Sequence, residues 1–213
     1  AMGAAFMVGS ACFAAGSFPP FFDNIAPATV AWTFFVGSLF FTGASYLQFH
    51  EVQRAPATID PDGPLPEGVR SYFGWKPRRI DWWATAVQLV GTVFFNVSTF
   101  AATRADLDLA QQRHLIWGPD VAGSVCFLIA SWLAYSEVNR GIAPRPDRSV
   151  GWWIGSVNMG GSIAFGVSAV AARYVGSSGE VANLSLVNLG TFAGAVGFFV
   201  GAALLPVESS RST

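Results

Sequence analysis

Charge is what this chain has least of. Only 12% of its 213 residues are Asp, Glu, Lys or Arg, against about 25% in an ordinary soluble domain. The formal net charge is −1, so no basic patch argues for a nucleic-acid partner. Lysine occurs once, at Lys76, and the other eleven basic residues are Arg, a usage that suggests a high-GC bacterial genome. Cysteine is scarce too. Cys12 and Cys126 lie in apolar runs, lack the paired spacing of a zinc or haem site, and read as small packing residues. The two histidines, His50 and His114, fall at opposite ends of the apolar segments, so they are not expected to ligate one haem. There is no Walker loop, no Gly-x-Ser-x-Gly and no His-Glu-x-x-His. No cofactor, metal or catalytic residue is therefore expected.

Apolar bulk takes the place of charge. Hydrophobic residues make up 52% of the chain, with 19 Phe, 8 Trp and 23 Gly. A bilayer core needs about 20 predominantly apolar residues per helix. Six segments meet or approach this, at roughly 2–19, 28–50, 82–103, 120–137, 151–173 and 185–205. The expected fold is all-α: a polytopic membrane protein of six transmembrane helices forming one membrane domain over 1–213. No signal peptide with a cleavage site is evident. The chain opens inside an apolar run, "AMGAAFMVGS", so sequence upstream of residue 1 is expected.

Basic residues orient the segments. Arg54, Arg70, Lys76, Arg78 and Arg79 lie in the loop 51–81, Arg140, Arg145 and Arg148 in the loop 138–150, and Arg211 in the tail. The opposite side holds only Arg104, Arg113 and Arg173. The positive-inside rule makes the first side, with both termini, cytoplasmic. Trp82, Trp83, Trp152 and Trp153 then mark the cytoplasmic interface, and Trp32 and Trp117 the opposite one, the depths that indole rings prefer.

The segments repeat. Each carries a small residue, an aromatic four places on and a small residue further along: Gly9–Phe13–Ser17, Gly37–Phe41–Ser45, Gly91–Phe95–Thr99, Gly123–Phe127–Ser131, Gly161–Phe165–Ser168 and Gly194–Phe198–Ala202. Such positions share a helix face, and small residues there let helices approach closely in lipid. The even segments end alike, with Glu51, Glu137 and Glu208 fourteen places after their glycines and Arg54, Arg140 and Arg211 seventeen after. The odd segments share "DWWATAVQLVG" and "GWWIGSVNMGG", which pairs Gln88 with Asn158. Three tandem hairpins, approximately 1–54, 80–140 and 150–211, around a pseudo-threefold axis account for both patterns. The rival parse is an inverted three-helix repeat, in which "GSACF" matches "GSVCF".

The stretches "KPRRIDWWATAVQLVGTVFFNVSTFAA" and "LIWGPDVAGSVCFLIASWLAYSEV" resemble the actinobacterial multi-helix members of the YrhK-like membrane domain. The resemblance is best over 76–140 and rests on packing motifs. It implies a bacterial integral membrane protein with no established activity and no catalytic residues to carry over.

Three groups of polar residues remain as candidates. The Glu–Arg endings form either helix-end ion pairs at the headgroups or a charge ring at a pore mouth. Gln88, Asn96 and Asn158 lie at membrane depth, where such side chains face the bundle interior and bond another helix. Gln88 and Asn158 could line one central site. Asp120, after Pro119, reads as the dipole-complementing start of the fourth helix. Asp106, Asp108 and His114 share a loop that reads as solvated surface. Mitochondrial carriers also have three two-helix repeats, but their Pro-x-[Asp/Glu]-x-x-[Lys/Arg] signature is absent from the odd segments here. The expectation is a non-enzymatic plasma-membrane protein packing with lipid, with itself or with a larger membrane complex. The alternative is a small-solute channel or transporter.

Overall fold

The computed structural model describes residues 1–54, 76, 78–139, 141, 149–176 and 179–211. Among them the chain is helical, apart from loops and one isolated bridge between Tyr174 and Val181. Its helices are α1 (Met2–Ser17), α2 (Pro19–Phe22), α3 (Pro27–Arg54), α4 (Ile80–Ala102), α5 (Leu109–Gln112), α6 (Gly118–Val138), α7 (Val150–Ala171) and α8 (Leu184–Arg211). Five runs, with α5 and α6 counted as one, are long and apolar enough to cross a membrane, and α1 is a shorter apolar helix. A chain with several such helices is a multi-pass membrane protein.

Local chemistry sets the ends. Phe18 is extended, at φ −72° and ψ 121°, as a residue before proline prefers. This stops α1 at Ser17, short of the expected residue 19, and Pro19 opens the single turn of α2. Asp108 accepts the Gln111 backbone N–H at 2.8 Å, and the Gln111 side chain accepts the Asp108 N–H at 2.9 Å, a capping box.

The start of the fourth segment differs from expectation. The helical run begins at Leu109 and passes through a π turn, Arg113–Trp117, into α6. Gly118 N–H donates to the Arg113 carbonyl. Pro119 has no N–H, and its ring would crowd the carbonyl four residues back; widening the preceding turn relieves this. The open N-terminus is thus at Asp108, and Asp120 sits inside a continuing helix rather than capping one.

The long helices close a ring. Each packs on its neighbour in the order α1, α3, α4, α6, α7 and α8, and α8 returns to α1. Those two run antiparallel: Gly3 lies by Ala202 and Leu205, while Phe18 stacks near Phe192 at 5.9 Å. Pro206 lies inside α8 and cannot donate to the Ala202 carbonyl. That carbonyl instead faces Gly3, where an added Cβ would lie 3.1 Å away.

The packing reverses that of a soluble protein. Ser10, Ser17, Ser38, Thr92 and Ser162 are fully buried, while Val170 and Leu189 are 72% and 64% exposed. Small residues inside and branched apolar ones outside suit helices associating in lipid.

Candidate functional site

The repeated glycines work in facing pairs. A Cβ added to Gly9 would lie 2.9 Å from both the Gly37 carbonyl and the Phe41 ring, and one on Gly37 would meet Phe13 at 3.0 Å. On the next pair, Gly91 would meet Phe127 at 2.9 Å and Gly123 would meet Phe95 at 3.0 Å. On the last, Gly161 would meet Phe198 at 3.2 Å and Gly194 would meet Phe165 at 2.9 Å. Each phenylalanine therefore occupies the space that the partner helix's glycine leaves by having no side chain. Cys12 and Cys126 join these contacts, their Cβ atoms lying against Gly37 and Gly91.

The six rings meet at the centre. Phe13, Phe95 and Phe165 form one triangle, with centroids 6.4, 6.0 and 6.1 Å apart. Phe41, Phe127 and Phe198 form a second, at 6.1, 6.0 and 5.4 Å. The triangles are joined by the pairs Phe13–Phe41 at 5.5 Å, Phe95–Phe127 at 5.1 Å and Phe165–Phe198 at 5.6 Å. All six are buried. Ring pairs at such distances each contribute about 0.5–1.5 kcal/mol beyond the area they bury. The bundle axis is thus blocked by two stacked layers of aromatic side chains.

Gln88 and Asn158 come together beside this plug, and Asn96 does not. Both line a cavity of about 60 Å³ with Phe6, Gln48, Phe198 and Leu205. The Gln88 amide donates to Gln48 Oε1 at 3.0 Å and Ser45 Oγ at 3.2 Å. Asn158 Oδ1 is buried and accepts no hydrogen bond. Asn96 lies between α3 and α4, where it donates to Thr42 Oγ1 at 2.8 Å. Thr42 in turn donates to the Ser38 carbonyl. The expected trio is therefore a pair on the axis and one residue in a seam. Gln48 carries no sequence signal beyond its place eleven residues after Gly37.

Hydroxyl pairs tie three seams, and in the seam of α8 with α1 the counterpart of one pair is incomplete. Ser38 and Thr99 pair at 2.9 Å across α3 and α4. Ser131 and Ser162 pair at 2.7 Å across α6 and α7. Ser168 and Thr191 pair at 2.8 Å across α7 and α8. In the seam of α8 with α1, the place corresponding to Ser131 is Ala202 and that of Ser162 is Ser10. Ser10 Oγ is fully buried and has no hydrogen-bond partner.

The charged endings differ in their surroundings. Glu51 and Arg54 are exposed on the last turn of α3. Glu137 lies near Arg79, whose guanidinium is raised by its hydrogen bond to Asp81, with the Asp81 and Glu137 charges adding. Glu208 Oε1 rests against Gly151 at the start of α7, 2.6 Å from where a Cβ would stand. A carboxylate there complements the helix dipole. Arg140 lies outside the described residues, and for Arg211 only the helical backbone is described.

At the other end, the Trp117 indole donates to the Ala169 carbonyl at 3.0 Å. Burial raises the Tyr174 phenol, and the nearby Asp120 carboxylate adds to the shift. Arg104 pairs with Asp106 at 2.8 Å on the exposed surface, where such pairs contribute little. Among the described residues no three His, Cys, Asp or Glu side chains gather into a metal site. No family model, characterised protein or solved structure matches the chain.

Proposed function

We propose that this chain is a non-enzymatic subunit of the bacterial plasma membrane. In this reading it crosses the membrane six times as three hairpins of one hand, with both termini in the cytoplasm. It serves as a packing element for lipid, for further copies of itself or for a larger membrane complex. The observation that carries the reading is the plug: six phenylalanines fill the axis along which a transporter would place its path. The reciprocal glycine contacts support three equivalent hairpins, since each of the three pairs makes the same two ring-on-glycine contacts. The Arg and Trp asymmetry between loops supports the orientation, and the packing motifs agree with a YrhK-like origin.

The alternative is a small-solute channel between the hairpins. The amides of Gln48, Gln88 and Asn158 around one axial cavity favour it, and the aromatic layers across the same axis oppose it. Purification from native membranes in mild detergent, with mass spectrometry of what co-purifies, separates the readings. A subunit brings a stoichiometric protein or lipid with it. Recovery only as a bare monomer, together with solute flux in vesicles, overturns the proposal in favour of the channel.

A further inference from the structure

We propose that the axial cavity is a blind, water-filled chamber in which the Asn158 carbonyl oxygen binds a small uncharged hydrogen-bond donor, water in the first instance. The inference rests on the membrane-spanning reading of the helices but not on the accessory role.

Three observations carry it. The first is an orphaned group. Asn158 Oδ1 is buried without a partner, and a buried carbonyl left unsatisfied costs about 1–3 kcal/mol. Room for the amide is made by Gly201, where any Cβ would overlap Asn158 Oδ1. The second is asymmetry. Three places before the glycines of α1, α4 and α7 stand Phe6, Gln88 and Asn158. An axis serving packing alone would take apolar residues at all three, as it does at Phe6. Gln48 adds a third amide where α8 places Leu205.

The third observation is size and charge. The cavity measures about 60 Å³, and a buried water needs about 10–15 Å³ of such space, so a few waters fit. Only amides, apolar groups and a glycine line it, so nothing compensates an ion and the occupant is neutral. Phe198 belongs both to the lining and to the aromatic triangle, so the chamber ends at the plug. Gln48 and Leu205 of the lining lie between the plug and the helix ends that carry Gln53 and Glu208, so in this proposal solvent enters from that end.

The test is cysteine accessibility in vesicles, with Cys12→Ala and Cys126→Ala as background. The probe is 2-hydroxyethyl methanethiosulfonate, small, uncharged and water-soluble. Asn158→Cys is expected to react at least about tenfold faster than Ala195→Cys, which is fully buried in the same bundle, because thiol reactivity follows access. Osmotic water flux is expected to equal that of protein-free vesicles. Equal labelling of the two cysteines overturns the chamber, and flux above background overturns its blind end. If Asn158→Cys does not fold, Leu205→Cys on the same lining takes its place in the comparison, with the same two outcomes.

Discussion

The ring of Phe127 lies in the space that Gly91 leaves empty: a Cβ on Gly91 would come within 2.9 Å of it and within 2.8 Å of Cys126 Cβ. The Gly91→Ala substitution must therefore push α4 and α6 apart. Overpacking of this kind costs about 1–3 kcal/mol. Gly43 and Gly160 have nothing within 4 Å of an added Cβ. There, alanine is expected to be neutral or to gain up to about 1 kcal/mol from helix propensity. Thermal unfolding in one detergent distinguishes the two classes. Equal loss at Gly91 and Gly43 would show that the close approach is not what stabilises the pair.

Among the described residues Phe127 is the largest fully buried side chain, and it touches Phe41, Phe95 and Phe198. In lipid the transfer part of a core truncation is small, because the surroundings are already apolar. What remains is lost contact and a cavity, so Phe127→Ala is expected to cost on the order of 2 kcal/mol. Phe199→Ala, one residue from the axial Phe198 but 41% exposed, is expected to change stability by less than about 0.5 kcal/mol. The midpoint of unfolding by sodium dodecyl sulfate compares them.

The incomplete pair at Ser10 makes a test of the hydroxyl pairs. Ser10→Ala removes a buried group that bonds to nothing, and is expected to be neutral or stabilising by about 1 kcal/mol. Ser131→Ala breaks the pair with Ser162 and is expected to cost about 0.6 kcal/mol, the average for interhelical hydrogen bonds in a membrane. Ala202→Ser should restore a partner for Ser10 and stabilise by a similar amount. If Ser10→Ala destabilises more than Ser131→Ala, Ser10 has a role that its surroundings do not reveal.

Glu137 stands beside Arg79 and Asp81, and Glu208 beside the start of α7. Glu208→Gln is expected to lower stability by about 0.3–1 kcal/mol, the range for a carboxylate near a helix N-terminus, and Glu137→Gln, which also relieves repulsion with Asp81, is expected to cost less or nothing. Solute flux at matched protein level is expected not to change. A selective change in flux, with unfolding unaffected, would sink this assignment.

Much of the bundle was legible in the sequence because lipid imposes simple rules. Apolar length marked the long helices, and the Gly-xxx-Phe spacing marked the faces that meet. Periodicity could not say how the faces interlock, since that depends on the relative height of two helices. Only the folded chain brings Phe41 onto Gly9 and Phe13 onto Gly37. Shared repeat positions brought Gln88 and Asn158 to one place. Asn96 was grouped with them on depth alone, but its rotation about α4 turns it to Thr42. Pro119 reads in sequence as the beginning of the fourth segment, whereas a π turn carries the helix past it. The incomplete pair at Ser10 was invisible because α1 and α8 are the most distant helices in the chain, and only ring closure makes them neighbours.

Two smooth apolar helices can slide along each other in a bilayer at little cost. These cannot. In each facing pair two rings sit in two notches cut in opposite directions, and a slip of one turn, about 5.4 Å, would drive a ring into backbone. The notches act as a detent. Sliding of one helix past its facing partner is blocked. Any axial displacement in this bundle is therefore expected to carry both helices of a facing pair together.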